Sequence, residues 1–431
     1  MTDFNTAKQW LIKLLQFPTV EQPPANNMPF GKPLFDCLNF SLQLLEQNGF
    51  VTKNLEGYCG YGEIGQGELF GILCHLDVVP VGGNWTYPPF SATEVNNRIY
   101  ARGALDDKSP FIGCLYAVIR LLEEGYRPNK RIRFILGCDE ESGWTCMDRY
   151  TKTEEMPVLG ISPDGDFPVI NCEKGIVYHK IIVPKPKEIK MINGGERANM
   201  VPESAYCILE YSKDTINYLN NNNYPYIIED NTIKIETKGK SAHGSHPENG
   251  DNAIVKLLKI LSFIPEMEVM YNAFCNFDGS NVNLNLTDEQ SGALTLNLGT
   301  VETMEKELIF QLDIRHPITY TKEEITAILQ KTLPFNVVQG FYHLPLYVDK
   351  EHFLVKTLLE AYNTVMKTNL QPITIGGGTY ARVLPLGVAF GPSFPGSEAT
   401  IHGVDEYVDL SEWKNSIEIY YTALKNLCFE K

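Results

Sequence analysis

The sequence has no excess of basic residues. Lys and Arg number 37 against 53 Asp and Glu, a formal net charge of −16. Nucleic acid and anionic membrane both reward clustered Lys and Arg, so neither is expected as a main partner. Long apolar runs are also missing, and none approaches the roughly 20 residues of a membrane helix. The opening Met1-Thr2-Asp3-Phe4-Asn5 lacks the basic start and apolar stretch of a secretory signal. A cytoplasmic protein is therefore expected. Cysteine is sparse, ten in 431 residues with no C-x-x-C pair, and Cys74, Cys114, Cys138 and Cys207 lie in apolar stretches. Buried reduced thiols are expected, not a disulfide scaffold. No internal repeat or low-complexity linker interrupts the chain. What is present, 43% apolar and 21% charged residues, excludes a disordered chain, and the length suggests two or three domains.

The N-terminal part alternates helix and strand signals. Trp10, Leu11, Leu14 and Leu15 at helical spacing predict a helix over 6–16, and 33–48 reads as a second one with Gly49 just beyond its end. The glycine-rich stretch from Gly57 to Gly67 lacks the Lys-Ser/Thr pair of a phosphate loop and reads as hairpin turns. Three strand-like runs then end in chemically capable residues. Leu69–Cys74 leads into His75-Leu76-Asp77, Arg131–Leu136 into Asp139-Glu140-Glu141, and Val158–Ile161 into Asp164. Between the first two, Ser109 and Pro110 read as the cap and first residue of a helix through Leu122. This alternation implies an α/β fold with a mainly parallel sheet, in which ligands bind beyond the carboxyl ends of the strands.

The character changes near residue 181. Strand-like stretches, helical runs at about 251–263 and 321–331, and a Thr321-x-x-Glu324 capping box predict an inserted α+β domain over 181–352. Helical patterns return at Phe353–Met366 and Ser411–Leu427, so 1–180 and 353–431 are expected to form one catalytic domain.

Singly, each polar cluster has an ordinary reading. His75 could be satisfied by Asp77, and Asp106-Asp107 could be a solvated turn. Glu140-Glu141 is more telling, because adjacent carboxylates buried at a strand end need a cation or a proton. Asp164 and His402 extend the set. Two imidazoles and several carboxylates without thiolate suit Zn²⁺, Mn²⁺ or Co²⁺. A pair of ions about 3.5–4 Å apart would use this number of ligands, which leads to a dinuclear hydrolase as one reading of the spacing.

The segments His75–Pro80, Tyr100–Lys108 and Asp139–Ser142 resemble the co-catalytic zinc peptidase family, which includes aminoacylases, acetylornithine deacetylase and carboxypeptidase G. Asn84-Trp85-Thr86, Ser162-Pro163-Asp164, Asn199–Pro202, Ser241–Gly244, Asp313-Ile314-Arg315 and Gly376–Arg382 resemble its dipeptidase V-like branch, in the expected order from about residue 10 to 420. The resemblance implies a zinc-peptidase-like catalytic domain with an inserted lid. It implies two divalent ions, Zn²⁺ or else Mn²⁺ or Co²⁺. His75 and Asp164 would hold one, Glu141 and His402 the other, with Asp106 bridging and joined to Asp107 by a cis peptide.

In the same pattern Glu140 is the general base and Asp77 orients His75. His243 stabilises the oxyanion as the lid closes, and Arg315 receives the substrate carboxylate. Asn199, Gly377, Gly378, Thr379 and Arg382 line the rest of the pocket, and Asp107 receives the substrate ammonium. The implied activity is hydrolysis of unblocked dipeptides by a monomer. An N-acyl-amino-acid deacylase or carboxypeptidase of the same family is the alternative, and a catalytically silent peptide-binding protein a further one. His179, His246, His316, His343 and His352 match no family role and read as structural. Ser109 and Asp405 depart from the usual Gly and Asn.

Overall fold

A computed structural model of the chain describes residues 2–431. The chain divides into two compact units. One comprises 2–171, 348–373 and 379–431, the other 172–347 and 374–378. The short 374–378 segment, which the helical pattern groups with the catalytic domain, thus belongs to the second unit. Lys174 N donating to Ile375 O at 3.0 Å holds it there.

The first unit is built on a sheet whose central strand, Leu69–His75, is buried along its whole length. It runs parallel to Arg131–Gly137 on one side and to Leu159–Ser162 on the other, and Leu159–Ser162 runs parallel to Gly387–Ala389. The hairpin Val51–Leu55/Cys59–Ile64 continues the sheet antiparallel, as the glycine turns predict. Gly60 and Gly62 lie against Leu42 and Leu45 of helix Lys32–Gln47. Tyr61, pointing the opposite way, meets Tyr150 of helix Thr145–Thr153. Strand side chains alternate between faces, so the sheet carries helices on both. A smaller antiparallel sheet pairs Tyr407–Asp409 with Arg98–Tyr100.

Predicted helices form within a few residues of their expected ends: Phe4–Leu15, Lys32–Gln47, Phe353–Met366 and Leu410–Cys428. Ser109 is a correction. A five-residue π-type turn, Ala104–Lys108, runs straight into helix Ser109–Glu123, and the Ser109 hydroxyl is buried with no partner. It caps nothing.

The second unit is an eight-stranded antiparallel sheet in the order 227–229, 232–238, 204–210, 189–194, 295–303, 307–316, 175–184, 336–343. The alternation of buried and open residues along Ser204–Glu210 shows one packed face. Ile254, Leu257, Met267, Ile325 and Leu329 from its helices belong to the core on that face. Thr321 and Glu324 form the capping box expected of them. All ten cysteines are unpaired, nine of them buried. Among the described residues no helix is long and apolar enough to cross a membrane.

Candidate active site

Three adjacent parallel strands deliver the polar residues to one end of the first unit's sheet. His75 closes its strand directly beside Gly137 of the neighbouring one. Glu140 and Glu141 follow two residues after Cys138, and Asp164 follows Ser162. Asp106 sits in the π-type turn, joined to Asp107 by a cis peptide. His402 arrives from the far end of the chain, on the loop before Tyr407–Asp409.

The Asp106 carboxylate stands between the two imidazoles. Its Oδ1 is 2.7 Å from His75 Nε2 and its Oδ2 2.9 Å from His402 Nε2. Asp164 Oδ2 lies 3.7 Å from His75 Nε2, and Glu141 Oε1 lies 2.9 Å from His402 Nε2. Two sets of three potential ligands result, His75 with Glu140 and Asp164, and Asp106 with Glu141 and His402. The His75 side chain is 1% exposed and that of His402 46%, so the cluster meets solvent on the His402 side.

Burying this many acids together has a clear electrostatic signature. Burial and the Asp106 charge push the Glu141 carboxyl up to about 7, and burial with the Asp164 charge raises Glu140 well above the usual range. Asp106 goes the other way: burial works against its ionised form, but the hydrogen bonds from His402 and His75 hold it low. Despite burial, the same contacts raise both imidazoles, His402 to about 11. A pocket that binds protons this readily at imidazoles calls for positive charge. Its all-oxygen-and-imidazole donor set fits divalent Zn²⁺, Mn²⁺ or Co²⁺.

The residues around the cluster hold its backbone. Asp77 accepts the main-chain N–H of Glu140 at 3.0 Å and of Glu141 at 2.9 Å. Its carboxylate is 3.5 Å from His75 Nδ1, while its main-chain oxygen is 3.0 Å away. Asp77 therefore orients His75 chiefly through its carbonyl. Asp107 is fully buried, with Oδ2 on the His75 main-chain N–H at 3.2 Å and Oδ1 without a hydrogen-bond partner, so it supports a ligand strand. Asp405, in place of Asn, accepts from Thr86 N at 2.8 Å and Thr86 Oγ1 at 2.7 Å. Thr379 caps the short helix Tyr380–Val383, which carries Arg382.

A second cluster lies within the second unit. Gly244 N donates to Asn199 O at 2.6 Å, which sets the His243 segment against 199–200. A Cβ at Gly244 would stand 2.6 Å from Asp313 Oδ2, so only glycine allows this approach. Ser245 N donates to His243 Nδ1 at 3.2 Å, and Ser245 Oγ lies 2.6 Å from the same nitrogen. Arg315 is buried. Its Nε and Nη2 donate to the two oxygens of Asp313, both at 2.7 Å, and its Nη1 to Gly376 O at 2.8 Å. Gly377 and Gly378 follow in the same segment. Asp313 stands in the Asp313-Ile314-Arg315 motif without an expected role of its own, although D-x-R in a strand puts both side chains on one face. His179 and His316 are buried in this unit, and His352 caps helix Phe353–Met366.

The model of peptidase family M20/M25/M40 matches residues 71–426. The chain belongs to that family. As an M20-family chain it is 37% identical over 424 residues to "Putative dipeptidase YtjP" of Bacillus subtilis, covering 93% of this chain and 92% of that one. A "Putative dipeptidase" of Staphylococcus epidermidis is 36% identical over 433 residues, with 93% and 92% covered. Among solved structures, the M20 metallo-carboxypeptidase Sso-CP2 of Sulfolobus solfataricus superposes with a TM-score of 0.59 at 18% identity, covering 98% of this chain and 99% of that one. At that identity the likeness establishes the shared M20 fold, with a mainly parallel catalytic sheet and a separate antiparallel one.

Proposed function

We propose that this M20-family chain is a metal-dependent dipeptidase with a dinuclear centre, Zn²⁺ or else Mn²⁺ or Co²⁺. The observation that carries the reading is Asp106, whose two oxygens each face a different imidazole at 2.7 and 2.9 Å. His75 and Asp164 would hold one ion, His402 and Glu141 the other, and Asp106 both. Bound divalent ions supply Lewis acidity and acidify water. Glu140, raised by its burial, is suited to take a proton at its carboxylate and to return it to the leaving amine. His243 presents its Nε2–H to the substrate carbonyl oxygen as charge develops there. Three of the five guanidinium N–H groups of Arg315 are committed to Asp313 and Gly376, and the remaining two are assigned to the substrate carboxylate. Asn199, Gly377, Gly378, Thr379 and Arg382 are further candidates to contact the substrate.

The two dipeptidase-named relatives support unblocked dipeptides as substrates. A panel of dipeptides, tripeptides and N-acetyl amino acids, assayed with Zn²⁺, Mn²⁺ and Co²⁺, tests this. Dipeptides should be cleaved at least about tenfold faster than tripeptides, because a charge left unpaired at the far end costs more than 1.4 kcal/mol. N-acetyl amino acids outperforming every dipeptide would overturn it. We also propose that the chain works as a monomer in the cytoplasm, whose reducing conditions suit ten unpaired thiols. A concentration-independent dimer by light scattering would refute the first statement, and disulfides in protein taken directly from the cytoplasm would refute the second.

A further inference from the structure

Beyond the ligands themselves, the first unit contains a buried ion pair with an unusual set of partners. Arg102 and Glu406 are each 1% exposed, and Arg102 Nη1 donates to Glu406 Oε2 at 2.8 Å. The Glu406 carboxylate also accepts three N–H groups of the 103–106 segment: Gly103 N at 3.1 Å, Leu105 N at 2.9 Å and Asp106 N at 3.4 Å. Its main-chain oxygen takes Ala101 N at 3.0 Å. The segment 101–106 is thus held by one residue, its 103–106 part by the carboxylate, and Asp106 is its last residue.

The other half of the pair reaches two more segments. Arg102 Nη2 lies 3.3 Å from His402 O, and 3.4 Å from both Pro80 O and Val81 O, just past Asp77. Its guanidinium sits 5.1 Å from the centre of the Trp85 ring. His402 itself has φ of +63°, a left-handed conformation that a non-glycine residue holds only when its surroundings impose it.

Stability alone does not account for such a pair. Buried ion pairs are often replaced by well-packed apolar residues without loss, and their best-attested role is to fix one arrangement among several. Here the arrangement fixed is the one that brings Asp106 and His402 together. We infer that Glu406 and Arg102 are positioning residues for the metal position shared by Asp106, Glu141 and His402, acting by locking the Asp106 turn to the His402 loop. This rests on the dinuclear reading above.

The test is a titration of the chelator-treated full chain with Co²⁺, followed by calorimetry and visible absorption. The wild-type chain should take up two equivalents. In Glu406→Gln the equivalent that uses His402 should weaken by about 10–100-fold, the range for outer partners of metal ligands, and the other, which shares Asp106 but not His402, by at least about threefold less. His402→Ala should lose the same equivalent. The double variant Arg102→Met/Glu406→Met leaves no buried charge and should fold, yet show the same selective weakening. The inference is overturned if both equivalents bind as in the wild type, if both weaken to the same extent, or if neither variant folds, since the pair would then serve the fold itself. A wild-type chain that takes up fewer than two equivalents would remove the dinuclear reading, and this inference with it. Two tight equivalents in both the wild type and the variants would remove this inference alone.

Discussion

Glu140→Gln separates two roles that the position of Glu140 allows. Its carboxylate has an oxygen within 4.8 Å of the ligand atoms of His75 and Asp164, so it could act as a third ligand there or as a base. Its backbone is held independently of that carboxylate. The N–H donates to Asp77 Oδ1 at 3.0 Å, and the carbonyl accepts Trp144 Nε1 at 2.8 Å. An isosteric amide should therefore keep the same place without accepting a proton. Loss of general-base catalysis lowers the rate by roughly 10²–10⁴-fold, which is about 2.7–5.4 kcal/mol of transition-state stabilisation. Removing a carboxylate that is not a ligand should weaken metal binding by no more than about 10–100-fold, so both ions should remain at saturating metal.

The assay is kcat and kcat/KM on an unblocked dipeptide, with metal content measured on the same sample after equilibrium dialysis. The loss should fall on kcat, with KM nearly unchanged. If the variant retains only one equivalent at saturating metal, Glu140 is a ligand and the base must be sought elsewhere. If the rate stays within about tenfold of the wild type, Glu140 does not move the proton in the slow step.

His243→Ala should lower kcat far more than it raises KM, by about 10²–10³-fold, because its Nε2–H would be used mainly in the transition state; unchanged kcat on a dipeptide would remove His243 from the mechanism. His179 gives a pH prediction in the second unit, since burial pushes its imidazole down to about 4. The unfolded chain, with a His pKa of roughly 6.5, binds that proton first as pH falls. The stabilisation is therefore complete above about 6.5 and is lost toward 4, on the order of 3 kcal/mol. Denaturant unfolding of the wild type and His179→Phe at pH 7 and 4.5 should show the wild type losing more by about that amount, and equal losses would refute the account.

Helices and strands with strong periodicity were legible because burial on one face imposes the period. Phe353–Met366 and the Thr321 cap are examples. The meeting of His75, Asp106, Glu141, Asp164 and His402 was suggested by strand ends and made specific by the resemblance, since residues some three hundred positions apart leave no local signal of contact. What could not be read was which carboxylates turn inward. Asp106 and Asp107 are neighbours in sequence, yet Asp106 faces two imidazoles and Asp107 the backbone of His75. That choice depends on the turn they occupy. Ser109 fails as a cap for a similar reason, because Lys108 before it and Ser109 itself already have helical φ/ψ in place of an extended residue.

The acids that face away from the cluster solve a problem created by those that face in. Inward carboxylates repel one another, so the chain segments bearing them must be held by something other than their own contacts. Asp77 takes the N–H groups of Glu140 and Glu141. Glu406 takes those of Gly103, Leu105 and Asp106. Asp107 takes that of His75. A carboxylate suits this task because it only accepts and offers about four lone-pair sites, so one side chain can fix two or three N–H groups at once, whereas an amide would turn a donor toward one of them. The solution adds buried negative charge to a region already rich in it. One such acid, Glu406, is balanced within the fold by Arg102. For Asp106, Glu140, Glu141 and Asp164 the offsetting positive charge is a proton on His75 or His402, and an imidazole that acts as a ligand must give that proton up. The acidity that steadies the backbone and the affinity for divalent cations therefore have a common source.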